Sequence, residues 1–180
     1  MNIVSSSDII KYMNIRIAVT DDWKDVRDLY LILLKNDPDA FADEYDTVFA
    51  LMDQSWIEKF SKDTEKTFIA IEDNNFVGMG EVHFQEEEEG VAVLSKLGVL
   101  PDYRGKGTAQ ELIFKQEEWA KVNGATKIRL YVMGDRARTI EFYNKRGYKQ
   151  TEFLKNDFKK SNGVYLDVIV MEKSLTLKLI

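Results

Sequence analysis

The stretch Leu97 to Gln110 (LGVLPDYRGKGTAQ) brings together residue types that bind anions. Arg104-Gly105-Lys106-Gly107 lies between an apolar run ending at Pro101 and a helical pattern that starts near Gly107. Glycines let the main chain wrap closely around a ligand. Free N–H groups at a helix start attract anions, helped by the helix dipole. Arg104 and Lys106 add positive charge at the same spot. Taken physically, this is a phosphate or pyrophosphate cradle built from main chain. It is not a Walker loop, because no Gly-Lys-Ser/Thr is present, and Gln110 stands where a dinucleotide fingerprint has its third glycine. A glycine turn with solvated charges is the alternative that this segment alone leaves open.

Further residues could move protons. In Thr139 to Tyr148 (TIEFYNKRGY), Phe142 and Tyr143 are adjacent, so a helix cannot turn both to one face. One can pack while the other points toward a cleft, or both are core aromatics. Glu81 and His83 alternate along one strand and share a face. That face either looks into a cleft or leaves Glu81 as a rim charge and His83 as a packed or surface residue. The acidic run Glu86 to Glu89 reads as a solvated loop. Lys96 reads as a lysine with a buried stem.

These segments need elements to position them. Asn14 to Val19 alternates polar and apolar residues, as a half-buried strand does. Thr20-Asp21-Asp22 supplies a cap and first-turn acids for a helix that runs to about Asn36 and ends at Asp37-Pro38. Residues 40–62 suggest one or two short helices. Thr67 to Glu72 and Phe76 to Gln85 read as a hairpin around Asp73-Asn74-Asn75, with Gly78 and Gly80 marking a bulge or a close backbone approach. Val91 to Leu100 reads as a central strand. Helices follow over about Gly107 to Asn123 and Arg136 to Arg146, and strands over Lys127 to Met133, Tyr148 to Phe153 and Tyr165 to Met171. The predicted class is α/β (α+β): one domain with a mixed, mostly antiparallel sheet of six or seven strands and about four helices. Residues 1–13 read as an N-terminal arm and residues 14–180 as the domain. The C-terminal Ser174 to Ile180 (SLTLKLI) could extend a strand into a second copy, which makes a homodimer an expectation.

Composition narrows the function. The 180 residues carry no cysteine, which excludes disulfides, thiolate zinc sites and a cysteine nucleophile, and fits a reducing cytoplasm. One histidine leaves no multi-histidine metal site, and no metal is expected. A net charge of −6 disfavours nucleic acid and favours a cationic ligand. No apolar run approaches the length of a membrane span, and no signal peptide is read at the N-terminus.

Taken together, the two motif segments resemble the GCN5-related N-acetyltransferase family. Arg104-Gly105-Lys106-Gly107-Thr108-Ala109 fits that family's Q/R-x-x-G-x-G/A motif, Val99-Leu100-Pro101 fits the V-x-P before it, and Phe142 to Tyr148 fits the later FY-x-K-x-G-F/Y. Asp37 to Phe41 (DPDAF) is similar to a segment of some members. The element order matches from about Asn14 to Lys173. The resemblance implies acetyl-CoA as donor, with its pantetheine arm along Leu97, Gly98 and Val99. It implies that the pyrophosphate is held by the amides of Arg104, Gly105, Lys106, Gly107, Thr108 and Ala109, with Gln110 just inside the helix. Tyr143 would protonate the leaving thiolate, and the Asp43, Glu44 and Asp46 region would line the acceptor side. The family's Asn seven residues before that tyrosine contacts the cofactor and is Arg136 here, so that contact is not carried over; the fifth-strand Glu that serves some members as base is Tyr131, so no base is carried over. Glu81 is the candidate base from strand alternation alone. The expected function is transfer of an acetyl group from acetyl-CoA to a primary amine by direct attack in a ternary complex, the acceptor a small cationic amine. A protein N-terminal or lysine acetyltransferase and a non-catalytic acyl-CoA-binding module are the alternatives.

Overall fold

In the computed structural model, residues 13–175 are described. The expected N-terminal arm lies outside them except for Met13, as does the C-terminal segment beyond Leu175. The elements are β1 (Asn14–Ile17), α1 (Trp23–Asn36), α2 (Tyr45–Phe49), α3 (Asp53–Lys59), β2 (Glu65–Glu72), β3 (Asn75–Phe84), β4 (Val91–Val99), α4 (Thr108–Val122), β5 (Lys127–Met133), α5 (Ala137–Asn144), β6 (Lys149–Lys159) and β7 (Tyr165–Ser174). The seven strands form one sheet in the order β1-β2-β3-β4-β5-β7-β6. Every pairing is antiparallel except β4 with β5. Strand count and class agree with the sequence reading, and the segment from 40 to 62 resolves into two short helices rather than one.

Local chemistry explains the connections. Asp73 and Asn74 both adopt positive φ (51° and 63°), the twist that a two-residue hairpin needs. The start of α1 differs from expectation. Thr20 to Asp22 form a short 3-10 turn, and the Asp22 carboxylate, rather than Thr20, accepts the Val19 N–H at 2.7 Å while pairing with Arg16 at 2.6 Å. The acid thereby fixes β1 to the head of α1.

Two apolar cores flank the sheet. Val26, Leu29, Tyr30, Leu33 and Leu34 of α1 pack with Phe41, Trp56, Ile69 and Met79 on one face. Leu112, Ile113 and Ala120 of α4 pack with Val82, Ala92, Leu94, Ile128, Tyr143 and Tyr148 on the other. β6 runs to Lys159, six residues past the predicted end. Register shifts against β7 and a left-handed Asn156 absorb the polar LKNDFKK stretch that breaks its alternation.

The arrangement that makes a site is the parting of β4 from β5. They pair in register from Val91↔Lys127 to Leu94↔Leu130 and no further. Just beyond, the β3–β4 register slips: Met79 opposes Gly98 and Glu81 opposes Ser95, so Gly80 faces both Lys96 and Leu97. That is a bulge, which bends the strand carrying the extra residue. Lys96 has φ +51° there. Gly80 is required on the partner strand, because a Cβ would lie 2.8 Å from the Gln116 amide of α4.

Candidate active site

Past the bulge, the separated ends of β4 and β5 border a cavity of about 520 Å³. Leu97, Gly98, Val99 and Arg104 line it from β4 and the loop that follows, Tyr131 and Met133 from β5, Phe142 and Tyr143 from α5, and Tyr30, Asp37 and Asp43 from α1 and the segment after it. One edge of β4 is bonded to β3, and the edge past Leu94 is left by β5. An extended ligand arm can therefore pair with it as an added strand would.

The anion cradle is formed as the residue types suggest. Gly105 and Gly107 have φ +76° and +88°, and around both there is open space where a side chain would otherwise project. The first main-chain bond of α4 runs from the Glu111 N–H to the Gly107 C=O at 3.0 Å, so the amides just before it have no helical acceptor. Thr108 is buried and donates its hydroxyl to the Tyr103 carbonyl at 3.4 Å. Arg104 donates Nε–H to the Val99 carbonyl at 2.8 Å, which folds the guanidinium back over the end of β4. Gln110 accepts from Arg146 at 3.1 Å. Lys106 remains half exposed. A pyrophosphate fits these residues: unpaired amides, a cation on each side, and a chain held open by glycine.

Tyr143 is 8% exposed and packs edge-on against Phe142 and Tyr148, with ring centres 5.2 and 5.5 Å away. Its hydroxyl has no hydrogen-bond partner among the described residues and borders the cavity. Burial raises its pKa above the ordinary tyrosine value, so the proton stays on the phenol at neutral pH. Phe142 also borders the cavity and carries the Arg146 guanidinium over its ring at 3.4 Å, so neither aromatic is only core.

The opposite wall is made of ion pairs that join distant parts of the chain. Arg136, at the head of α5, holds Asp37 at 3.0 Å. Lys160 holds Asp39 at 2.6 Å and donates to the Pro38 carbonyl at 3.1 Å. Ser161 donates both N–H and hydroxyl to Glu44. These contacts tie the 37–44 segment to α5 and to the β6–β7 turn. The Tyr30 hydroxyl donates to Asp43 at 2.9 Å, and Lys96 lies 3.5 Å from the same carboxylate. Asp46 is in the first turn of α2 and does not line the cavity.

Glu81 is placed differently from its expected role. Its carboxylate is 2% exposed, does not line the cavity, and lies 2.5 Å from Lys59 and 3.0 Å from Lys96. Burial opposes its ionisation, but the two ammoniums outweigh that and hold its pKa below the ordinary carboxylate value. Between these two lysines the carboxylate makes no direct contact with the cavity. His83 shares that face and is half-buried, with burial pushing its pKa down. Glu88 of the acidic run is held by Arg129 at 2.6 Å.

The description "Acetyltransferase (GNAT) family" matches residues 23–148. The chain belongs to this family. The match runs from α1 through both motif segments to Tyr148. An aminoalkylphosphonate N-acetyltransferase of Salmonella typhimurium is 29% identical over 151 residues, covering 81% of this chain and 91% of the relative. An uncharacterized N-acetyltransferase of Methanocaldococcus jannaschii is 36% identical over 69 residues, and the match spans 38% of this chain and only 30% of that relative's length. Among solved structures, yncA of Salmonella typhimurium, determined with its cofactor acetyl-CoA, superposes with a TM-score of 0.75 at 17% identity, over 94% of this chain and 97% of that one. The family fold is thus present in full across the described residues. Sequence reasoning missed Tyr30, which lines the cavity, and Lys59 and Lys160, which hold Glu81 and Asp39 from outside it; no local signal marks them, because their partners Asp43, Glu81 and Asp39 lie 13 or more residues away.

Proposed function

We propose that the protein, through a domain spanning residues 14–180, transfers an acetyl group from acetyl-CoA to the primary amine of a small, cationic acceptor. The observation that carries this reading is that a single cavity is bordered at once by the free edge of β4, the unpartnered Tyr143 hydroxyl and the Asp43 carboxylate. When bound, acetyl-CoA supplies a thioester whose C–S bond breaks as the amine forms a C–N bond, with both reactants held together.

The amides of residues 105–109 and the side chains of Arg104 and Lys106 hold the pyrophosphate, while the Arg104 amide stays with the Pro101 carbonyl at 3.2 Å; Gln110 closes the first turn beside them. Leu97, Gly98 and Val99 offer main-chain groups to the pantetheine arm, and an amide near Val99 polarises the acetyl carbonyl. Tyr143 gives its proton to the departing sulfur. Asp43, which borders the cavity where Glu81 does not, receives the acceptor's ammonium and takes its proton. Fixing amine and thioester side by side supplies much of the acceleration.

Two features favour a small cationic acceptor over a peptide. The ties from Asp37, Asp39 and Glu44 to α5 and the β6–β7 turn fix the 37–44 segment beside the cavity, which favours a compact acceptor over an extended peptide. Lys59 and Lys96 face Glu65, Glu81 and Asp43, so this cluster carries one surplus negative charge. Asp43 and Lys96 are the members of it that border the cavity, and the surplus carboxylate charge lies behind them. The name of the Salmonella relative puts aminoalkylphosphonates into the first acceptor panel.

The test is transfer of radiolabelled acetyl from acetyl-CoA across polyamines, amino sugars, amino acids, aminoalkylphosphonates and peptide amines. Labelled small amines are the expected product. Labelling of peptides alone would overturn the acceptor assignment. Tight acetyl-CoA binding with no transfer to any amine would identify a binding module instead.

A further inference from the structure

Beneath the cavity lies a carboxylate that the proposed mechanism does not use. Glu81 bridges Lys59 and Lys96, and Lys59 is in turn 3.0 Å from Glu65. Removing such charges from water costs several kcal/mol per ion, so a buried pair is weak as a device for stability alone. Lys96 is unusual in a second way. The other non-glycine residues with left-handed φ among the described residues are Asp73, Asn74 and Asn156, whose short polar side chains tolerate that conformation. A lysine there is strained and persists only if its surroundings impose it. The surroundings do so on both faces. On one, Glu81 and Asp43 grip the ammonium. On the other, the fully buried Gln116 amide fills the space where a side chain at Gly80 would stand, directly across the ladder from the bulge.

We propose that Glu81 is a positioning residue that acts through Lys96: it locks the bulge that parts β4 from β5, and so sets both the strand edge offered to the donor and the place of Asp43. The inference rests on the reading of donor and acceptor walls given above. Lys96 belongs to the donor strand by its backbone and touches the acceptor carboxylate with its side chain, which makes it the link between the walls. Burial disfavours its charge, but Glu81 and then Asp43 raise its pKa above the ordinary lysine value, so the link stays charged at neutral pH.

The experiment is a double-mutant cycle on the full chain with Glu81→Gln, Lys96→Met and the double variant, plus Lys96→Arg. Hydrogen exchange over residues 91–100 reads the bulge without any ligand, calorimetry with acetyl-CoA reads the site, and thermal melting reads stability. Glu81→Gln and Lys96→Met are each expected to speed exchange at residues 95–99 about tenfold and to weaken acetyl-CoA binding by a similar factor. The double variant should melt higher than Glu81→Gln, because Lys59 keeps Glu65 and no second lysine is stranded, yet exchange and bind no better than Lys96→Met. Lys96→Arg should stay within about threefold of wild type, since it keeps the cation. Losses that multiply in the double variant would overturn the proposal. So would exchange and affinity that recover along with melting temperature, or single variants that leave exchange unchanged. Wild type that fails to bind acetyl-CoA, with exchange behaving as expected, would sink the acetyl-transfer reading while upholding the role of Glu81 in the bulge.

Discussion

One wall of the cleft is a single run of sequence, Leu97 to Gln110, and it works mostly with main chain: a strand edge, glycines at positive φ and unbonded amides at the start of α4. The other wall is gathered from the 37–44 segment, Lys96, Arg136 and the β6–β7 turn, and is held by side-chain ion pairs such as Asp37–Arg136 and Asp39–Lys160. The first wall suits a ligand part whose chemistry never changes, a pyrophosphate on an amide-lined arm. The second can be rewritten by exchanging a few charged side chains while the fold stays intact. Outside the Glu81–Lys96 pair that fixes the bulge, donor use should therefore be robust to side-chain substitution and acceptor use sensitive to it.

The largest expected effect falls where the walls meet. Tyr143→Phe should lower kcat about 100-fold, within the range that a positioned general acid supplies, while acetyl-CoA affinity stays within about twofold. Steady-state thiol release and calorimetry measure the two. An unchanged kcat would remove the tyrosine from the reaction. Next, Asp43→Asn should raise the acceptor KM about tenfold and leave acetyl-CoA affinity alone, as loss of one charged contact to an ammonium would. A matching loss of acetyl-CoA affinity would erase the distinction between the walls. Asp37→Asn should have a smaller effect, roughly threefold in KM, because it loosens the tie to Arg136 without touching the acceptor. The same acceptor panel should then show bulkier amines being accepted.

The smallest effect concerns His83. Its pKa is lowered in the folded protein, chiefly by burial, so the unfolded chain binds its proton more readily. The stability it contributes is fully present above about pH 6.5 and is lost as pH falls through the lower folded value. With one histidine in the chain, a single ring-proton titration by NMR reports it without ambiguity. A midpoint above 6.5 would mean that Glu65 and Glu81 dominate over burial.

How far the sequence could be read follows the same division. The cradle was legible because its chemistry is local: each glycine, the two cations and the helix start lie within a few residues. The β2–β3 hairpin was legible from Asp73-Asn74 for the same reason. The bulge was legible only from β3, where Gly80 marks it; VAVLSKLGVL itself reads as one central strand, and nothing in it announces that Lys96 turns left-handed. Glu81 misled for a related reason. Alternation correctly gave its face, but whether that face is open depends on Lys59, which reaches the site from α3. Arg136 looked like a lost cofactor contact and proves to be a tie to Asp37, a partner 99 residues away. Side-chain pairs over such distances leave no periodic trace in a single sequence.

The central claim is that the Arg104–Gln110 loop holds acetyl-CoA, and the most direct test is calorimetric titration of acetyl-CoA into wild type and into Gly107→Trp. No protein atom outside the neighbouring residues lies within 4 Å of where a Cβ would stand at Gly107, so the indole projects into the space meant for the ligand, and the φ of +88° strains the loop that forms the cradle. The account predicts saturable binding to wild type and none to a variant that still melts cooperatively. Equal binding to both, or no binding to wild type, would contradict it.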